Sequence, residues 1–153
     1  MDDEITLDRN VALFFAFFNE VGIVSQLSRT LLEARLPDGM TAGHFTVLNH
    51  LIRVADGRTP LELARAFQAP KTSMTHTLTG LERRGLIDVR PNPDDGRSKQ
   101  VWLTAKGRRF RNSAITRFGR DVDRLSDRIN ADKVANLLPD LTAIREVLDA
   151  DRD

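Results

Sequence analysis

The sequence predicts a mainly helical fold in which two short helices joined by a tight turn lead into a β-hairpin, with long helices before and after. Three observations predict it. Thr59-Pro60-Leu61-Glu62 is a capping-box helix start, and the helix it opens is cut off at Pro70. A helical apolar repeat over 71–84 then stops at Gly85, the residue type best suited to a left-handed C-terminal cap. Finally, residues 86–90 and 98–103 alternate as strands on either side of Pro91-Asn92-Pro93-Asp94-Asp95-Gly96, which reads as a hairpin tip. A helix-turn-helix followed by such a hairpin is a winged helix, and the hairpin is its wing.

The length of 153 residues suits one domain, or one domain with a helical extension. Chains of this size bury roughly 68–70% of the surface that the unfolded form exposes, so no staple is needed. The 41% hydrophobic and 29% charged content is that of a globular protein rather than a disordered tail. Cysteine is absent, which excludes disulfides, thiolate zinc sites and thiol chemistry. No unbroken apolar run approaches the roughly 20 residues that span a bilayer, and the start Met1-Asp2-Asp3-Glu4 is acidic where a secretory signal is basic. A cytoplasmic protein with no membrane partner is expected.

The net charge of +1 conceals a pattern. Residues 1–52 carry three basic and seven acidic side chains, residues 53–120 fifteen and six, and residues 121–153 five and nine. A basic centre between acidic ends suits a chain whose middle meets phosphates. A solvated face gives the same pattern, so charge alone leaves both readings open.

Taken in order, residues 8–35 read as one long helix with two apolar stripes on opposite sides. One is Val11, Phe14, Phe18 and Val21; the other is Leu13, Phe17, Val24, Leu27 and Leu31. One stripe is expected to dock on the chain's own core and the other on a second copy; the alternative is a buried central helix in a monomer. Thr41 is an N-cap for a helix over 42–53 with Phe45, Leu48 and Ile52 inward. The next short helix turns Leu61, Ala64 and Phe67 inward, and the helix over 71–84 turns Met74, Leu78 and Leu81 inward. Thr104 caps a long helix to about residue 129, marked by Phe110, Ile115, Phe118, Val122, Leu125 and Ile129. Asn130 caps a last helix, which Pro139 either kinks or divides.

The candidate functional residues lie on the helix over 71–84 and on the wing. Away from its apolar face that helix shows Lys71, Thr72, Ser73, Thr75, His76 and Thr79, a small polar face rich in hydroxyls and nearly free of acid. Such a face suits a helix in the DNA major groove, where short donors reach base edges and bulk would block approach. Chance composition is the alternative, although the four threonines and Gly80 disfavour the helix and so ask for a reason. On the wing, Arg97 is placed to enter the minor groove, Asp95 to orient its guanidinium through a bidentate pair, and Arg90 and Lys99 to touch phosphates. Asp95 and Arg97 also fit a plain surface ion pair, and Arg83 and Arg84 fit a helix-dipole role as well as a DNA role. His44 and His50 do not share a helix face and read as polar side chains rather than metal ligands. Trp102 is expected to pack against neighbouring helices. No catalytic constellation, metal motif or cofactor motif appears, so no enzyme, metal or cofactor is expected.

Leu61-Glu62-Leu63-Ala64, then Leu81-Glu82-Arg83-Arg84-Gly85-Leu86-Ile87, then Pro93-Asp94-Asp95-Gly96-Arg97 through Leu103-Thr104-Ala105-Lys106-Gly107 resemble the multiple-antibiotic-resistance regulator (MarR) family. The resemblance implies a homodimer of winged helices that binds a pseudo-palindromic operator in double-stranded DNA, mostly as a repressor. It also implies release by a small organic effector, often an aromatic or phenolic anion. Residues 1–40 and 107–153 would then form the helical dimerisation module around a DNA-binding domain at 41–106. His76 stands where the family often has arginine, Gly80 is unusual in that helix, and Pro139 falls inside the family's last helix. The missing cysteine excludes the family's thiol-oxidation branch. The rival from another class is a winged-helix module that offers its basic face to an acidic protein partner.

Overall fold

The computed structural model describes residues 8–152. Its elements are α1 (Arg9–Glu33), α2 (Ala42–Arg53), α3 (Pro60–Ala66), α4 (Lys71–Arg83), β1 (Ile87–Pro91), β2 (Lys99–Leu103), α5 (Ala105–Ser126) and α6 (Ala131–Ala150). The order is that of a winged helix-turn-helix with long flanking helices. The chain forms two compact units, one ending at Ile115 and the other starting at Thr116, so α5 crosses the division.

In the first unit the core gathers Val47, Leu48 and Leu51 of α2, Leu63 of α3, Met74, Leu78 and Leu81 of α4, and Leu86, Ile87 and Val101 around the hairpin. The α4 face is as the spacing predicts. The two preceding helices match in part: Leu48 and Ala64 are buried and Phe67 packs against the core as expected, while other positions differ. In α2, Phe45 and Ile52 are only half-buried, and His44 goes inside instead. In α3, Leu61 is exposed and Phe67 half-buried, because the face turned to the core is the one carrying Leu63 and Ala64.

The capping signals hold. Thr59 Oγ1 accepts from the Glu62 amide at 3.2 Å while Glu62 Oε2 accepts from the Thr59 amide at 2.7 Å. At the turn after α3, Gln68 takes φ 47°, a left-handed conformation usually left to glycine. The Ala69 amide there donates to the Ala64 carbonyl at 2.9 Å, which closes α3. Gly85, at φ 70°, ends α4 in the same way, with the Leu86 amide on the Leu81 carbonyl at 3.0 Å.

The strands pair antiparallel from Ile87 opposite Leu103 to Pro91 opposite Lys99, so β1 reaches Pro91, one residue beyond the expectation. The Arg58 carbonyl accepts from the Val101 amide at 2.8 Å, which ties the α2–α3 loop to β2. Trp102 sits against the loop between α2 and α3. It covers Gly57, where a Cβ would fall 2.6 Å from the indole, and Arg90 lies over its ring at 5.8 Å.

The start of α5 is locked to the end of α4. Thr104 Oγ1 donates to the Gly85 carbonyl at 2.8 Å and accepts from the Gly107 amide at 2.9 Å, and Lys106 Nζ donates to the Arg84 carbonyl at 2.7 Å. A Cβ on Gly107 would run into the Leu86 carbonyl. We predict that Gly107→Ala lowers stability by about 3 kcal/mol, seen as a lower urea midpoint, because the obstacle is backbone. An unchanged midpoint would contradict this packing.

In the second unit α5 ends at Ser126, short of residue 129. Asp121 is buried there and accepts from Arg124 Nη2 at 2.7 Å. Asn130 caps α6, which continues through Pro139; the carbonyl of Ala135 thereby loses its helical donor. Val134, Leu137, Leu138, Leu141, Val147 and Leu148 of α6 are all exposed.

Helix α1 corrects two expectations. Neither apolar stripe docks on the chain's own core: no residue of α1 is buried, and Phe14, Phe15 and Val24 are 61%, 69% and 62% exposed. Only Phe17 and the last turn, Leu31 to Glu33, are half-buried. By length and composition alone, α1 is also apolar enough to cross a membrane. Counting unbroken apolar runs missed this because Asn19 and Glu20 interrupt the stretch. The core helix of a soluble protein and a signal sequence pass the same test.

Candidate nucleic-acid interface

Helix α4 presents Lys71, Thr72, Ser73, Thr75, His76 and Thr79 to solvent, as the sequence predicts from the burial of the opposite face. Its amino end has no side-chain cap and no acid in the first turn, so the helix dipole leaves a positive end free for an anion. Three hydroxyls turn back onto the helix. Thr75 Oγ1 donates to the Lys71 carbonyl at 2.9 Å, Thr77 to Ser73 at 3.1 Å and Thr79 to Thr75 at 2.9 Å. Arg84 is committed elsewhere, with Nη2 donating to the Asp38 carbonyl at 2.8 Å.

Gly80 has a packing reason that the sequence did not show. A Cβ there would lie 2.7 Å from His44 Nε2, so the glycine admits the buried imidazole between α2 and α4. The ring is held from its other side, where Nδ1 accepts from the Thr41 amide at 3.0 Å and completes the α2 capping box. His44 is therefore a polar side chain held in the core. Burial lowers its pKa below the ordinary 6.5, helped by the nearby charges of Arg84 and His76. His50, edge-on to Phe67, is lowered by burial and by Arg58.

These two imidazoles make stability depend on pH. Their folded pKa values lie below the unfolded value, so the unfolded chain takes up protons that the folded chain refuses. Their contribution is complete above 6.5 and is lost as pH falls through that value toward the lowered folded ones. The urea midpoint should fall between about pH 7.5 and about pH 5.5, and His44→Gln, which keeps a capping acceptor without titrating, should flatten part of that slope. A midpoint independent of pH would contradict the neutral burial of His44.

On the wing, Arg97 and Lys99 are exposed. Asp95 does not pair with the Arg97 guanidinium: among the described residues its Oδ1 accepts from the Arg97 backbone amide at 3.0 Å. Its carboxylate therefore shapes the turn, because an Asx-type bond two residues on is shorter to close than a side-chain ion pair. Asn92 and Ser98 close the base of the tip, with Nδ2 donating to Oγ at 2.8 Å. Arg90 already has partners, Asp88 Oδ2 at 3.1 Å and the Trp102 face, so it is less available to phosphate than Lys99.

Behind the wing lies an open groove of about 440 Å³ lined by Asp56, Arg58, Glu62, Asn92, Asp94 and Gln100 among others. Its carboxylates outnumber Arg58, which is tied to Glu62 at 3.0 Å, so it does not suit an organic anion. Among the described residues no cluster could hold a metal ion.

Residues 38–98 match the model of the MarR family. The multiple antibiotic resistance protein MarR of Salmonella typhimurium is 35% identical over 117 residues, which cover 75% of this chain and 81% of that protein. The chain belongs to the MarR family. Its MarR fold is close to that of apo MarR from E. coli, with a TM-score of 0.71 and 31% identity over 82% of this chain and 94% of that one. A cysteine-to-serine mutant of E. coli MarR complexed with operator DNA gives a TM-score of 0.68 and 30% identity over 86% and 94% of the two chains. The protein is thus a MarR-family transcriptional regulator with a winged-helix fold.

Proposed function

We propose that this MarR-family chain binds a pseudo-palindromic operator as a homodimer and represses transcription until a small aromatic or phenolic ligand releases it. The observation that carries the reading is the exposed hydroxyl-rich face of α4, acid-free in its first turn, beside a wing that ends in a free-standing arginine. In this reading residues 41–106 bind DNA, and residues 1–40 and 107–153 hold the dimer. Lys71, Thr72, Ser73, Thr75, His76 and Thr79 meet the major groove, which is about 12 Å wide and admits a helix. Arg97 enters the minor groove, Lys99 meets phosphate ahead of Arg90, which Asp88 and Trp102 hold, and Asp95 fixes the turn from which Arg97 projects. The chain acts by binding rather than catalysis, in the cytoplasm.

The test is selective retention of one duplex sequence against excess competitor DNA. Arg97→Ala should weaken that binding by about 1–3 kcal/mol in a gel-shift titration. Undiminished affinity would remove Arg97 from the interface. Retention of all duplexes alike, together with capture of acidic proteins, would favour the protein-interaction reading. Addition of small aromatic acids to the DNA complex tests release.

A further inference from the structure

We infer that α4 reads thymine methyl groups through Thr75 and Thr79, so that the operator half-site presents thymines, rather than guanine pairs, to this turn of the helix. The inference rests on the DNA-binding reading above. Thr75 and Thr79 are both exposed and lie one helical turn apart on the same side of α4. Each hydroxyl hydrogen is turned back onto a carbonyl of the helix at 2.9 Å. What each residue offers outward is therefore a methyl group and oxygen lone pairs. Guanine shows two acceptors, N7 and O6, in the major groove, and a hydroxyl whose hydrogen is spent has nothing to give them. Thymine shows a methyl, which a threonine methyl packs against, and the adenine paired with it shows an N6 donor that the oxygen can accept.

The remaining side chains do not supply the missing guanine reader. Bidentate guanine recognition calls for arginine or lysine. The first arginines of α4 come at its carboxyl end, and Arg84 is held by Asp38. Lys71 lies at the amino end, where phosphate competes for it. His76 has a single ring donor at a time when neutral, enough for one hydrogen bond but not for a fork. The arrangement thus favours apolar contact over polar readout at Thr75 and Thr79.

The test uses the full-length protein and a duplex recovered from a random pool by repeated selection. Thymines of each half-site are replaced one at a time by deoxyuridine, which removes only the methyl. At one or two positions per half-site the affinity should fall about fourfold for each methyl lost, the fold-change that one buried CH₂ group supplies. That loss should disappear in Thr75→Ser or Thr79→Ser, which keep the hydroxyl, and persist in Thr75→Val, which keeps a methyl. Equal affinity for every deoxyuridine duplex, with weakening on 7-deazaguanine substitution instead, would overturn this inference and leave DNA binding standing. Failure to retain any duplex selectively would overturn both.

Discussion

Raising the salt concentration from 50 to 200 mM should lower operator affinity by about 10³-fold or more. The expectation comes from counting cations. Lys71, Arg97 and Lys99 are exposed on the α4–wing side, and a twofold dimer doubles them to about six cations that neutralise DNA charge from the grooves and the backbone, each releasing a counterion. Six such contacts give a slope near −5 in a plot of log affinity against log salt. Arg90 is left out of the count because Asp88 and Trp102 hold it. Lys99→Ala should flatten the slope by about 2, since the dimer loses one contact on each half-site. Anisotropy titrations at four or five salt concentrations measure both. A flat response would mean that the basic middle of the chain does not touch phosphate, whatever its net charge.

The features of this fold that could be read in advance are the local ones. The Thr59–Glu62 capping box, the left-handed Gly85 and the position of the hairpin tip are each settled within a few residues, and each stands where the sequence puts it. The α4 face was legible because Met74, Leu78 and Leu81 are its only large apolar residues. The α2 face was not, because Phe45 and Ile52 outweigh Val47 on size while the decision lies in α4. Gly80 opens the space that His44 fills, and no local pattern in α2 announces a cavity in another helix. The Leu-Thr-x-Lys-Gly stretch shows the same limit from the other side. As a string, 103–107 was a family fingerprint with an N-cap at Thr104. In the folded chain it is a joint: Thr104 and Lys106 satisfy the last carbonyls around α4, and Gly107 lets α5 approach the Leu86 backbone. Asp95 was assigned to the wrong atoms of Arg97 for a related reason, since a sequence shows that two charges are close but not that a backbone amide is closer.

Phe14→Asp should convert the proposed dimer into monomers and abolish tight operator binding with it. Within one chain Phe14 is exposed, and its ring contact is with Phe18 one turn along the same helix, centroids 6.3 Å apart. Its removal therefore leaves the winged-helix core of Leu48, Leu63, Leu81, Ile87 and Val101 untouched. In a twofold interface the substitution acts twice. Each copy gives up about 1.5–3 kcal/mol of phenylalanine burial and adds a carboxylate with no partner, which costs several kcal/mol more. The sum, above about 6 kcal/mol, raises the dimer dissociation constant by about 10⁴-fold or more. Sedimentation equilibrium should then show a monomer whose far-UV circular dichroism keeps its helical signal. A monomer holds only one α4 and one wing against DNA, so it loses the second half-site and with it most of the affinity. A Phe14→Asp protein that remains dimeric would mean that α1 is covered by something other than a second copy, and the two-half-site reading would fall with it. Loss of the helical signal together with the dimer would instead make the exposed stripe part of the folding unit, as in an obligate dimer with no stable folded monomer.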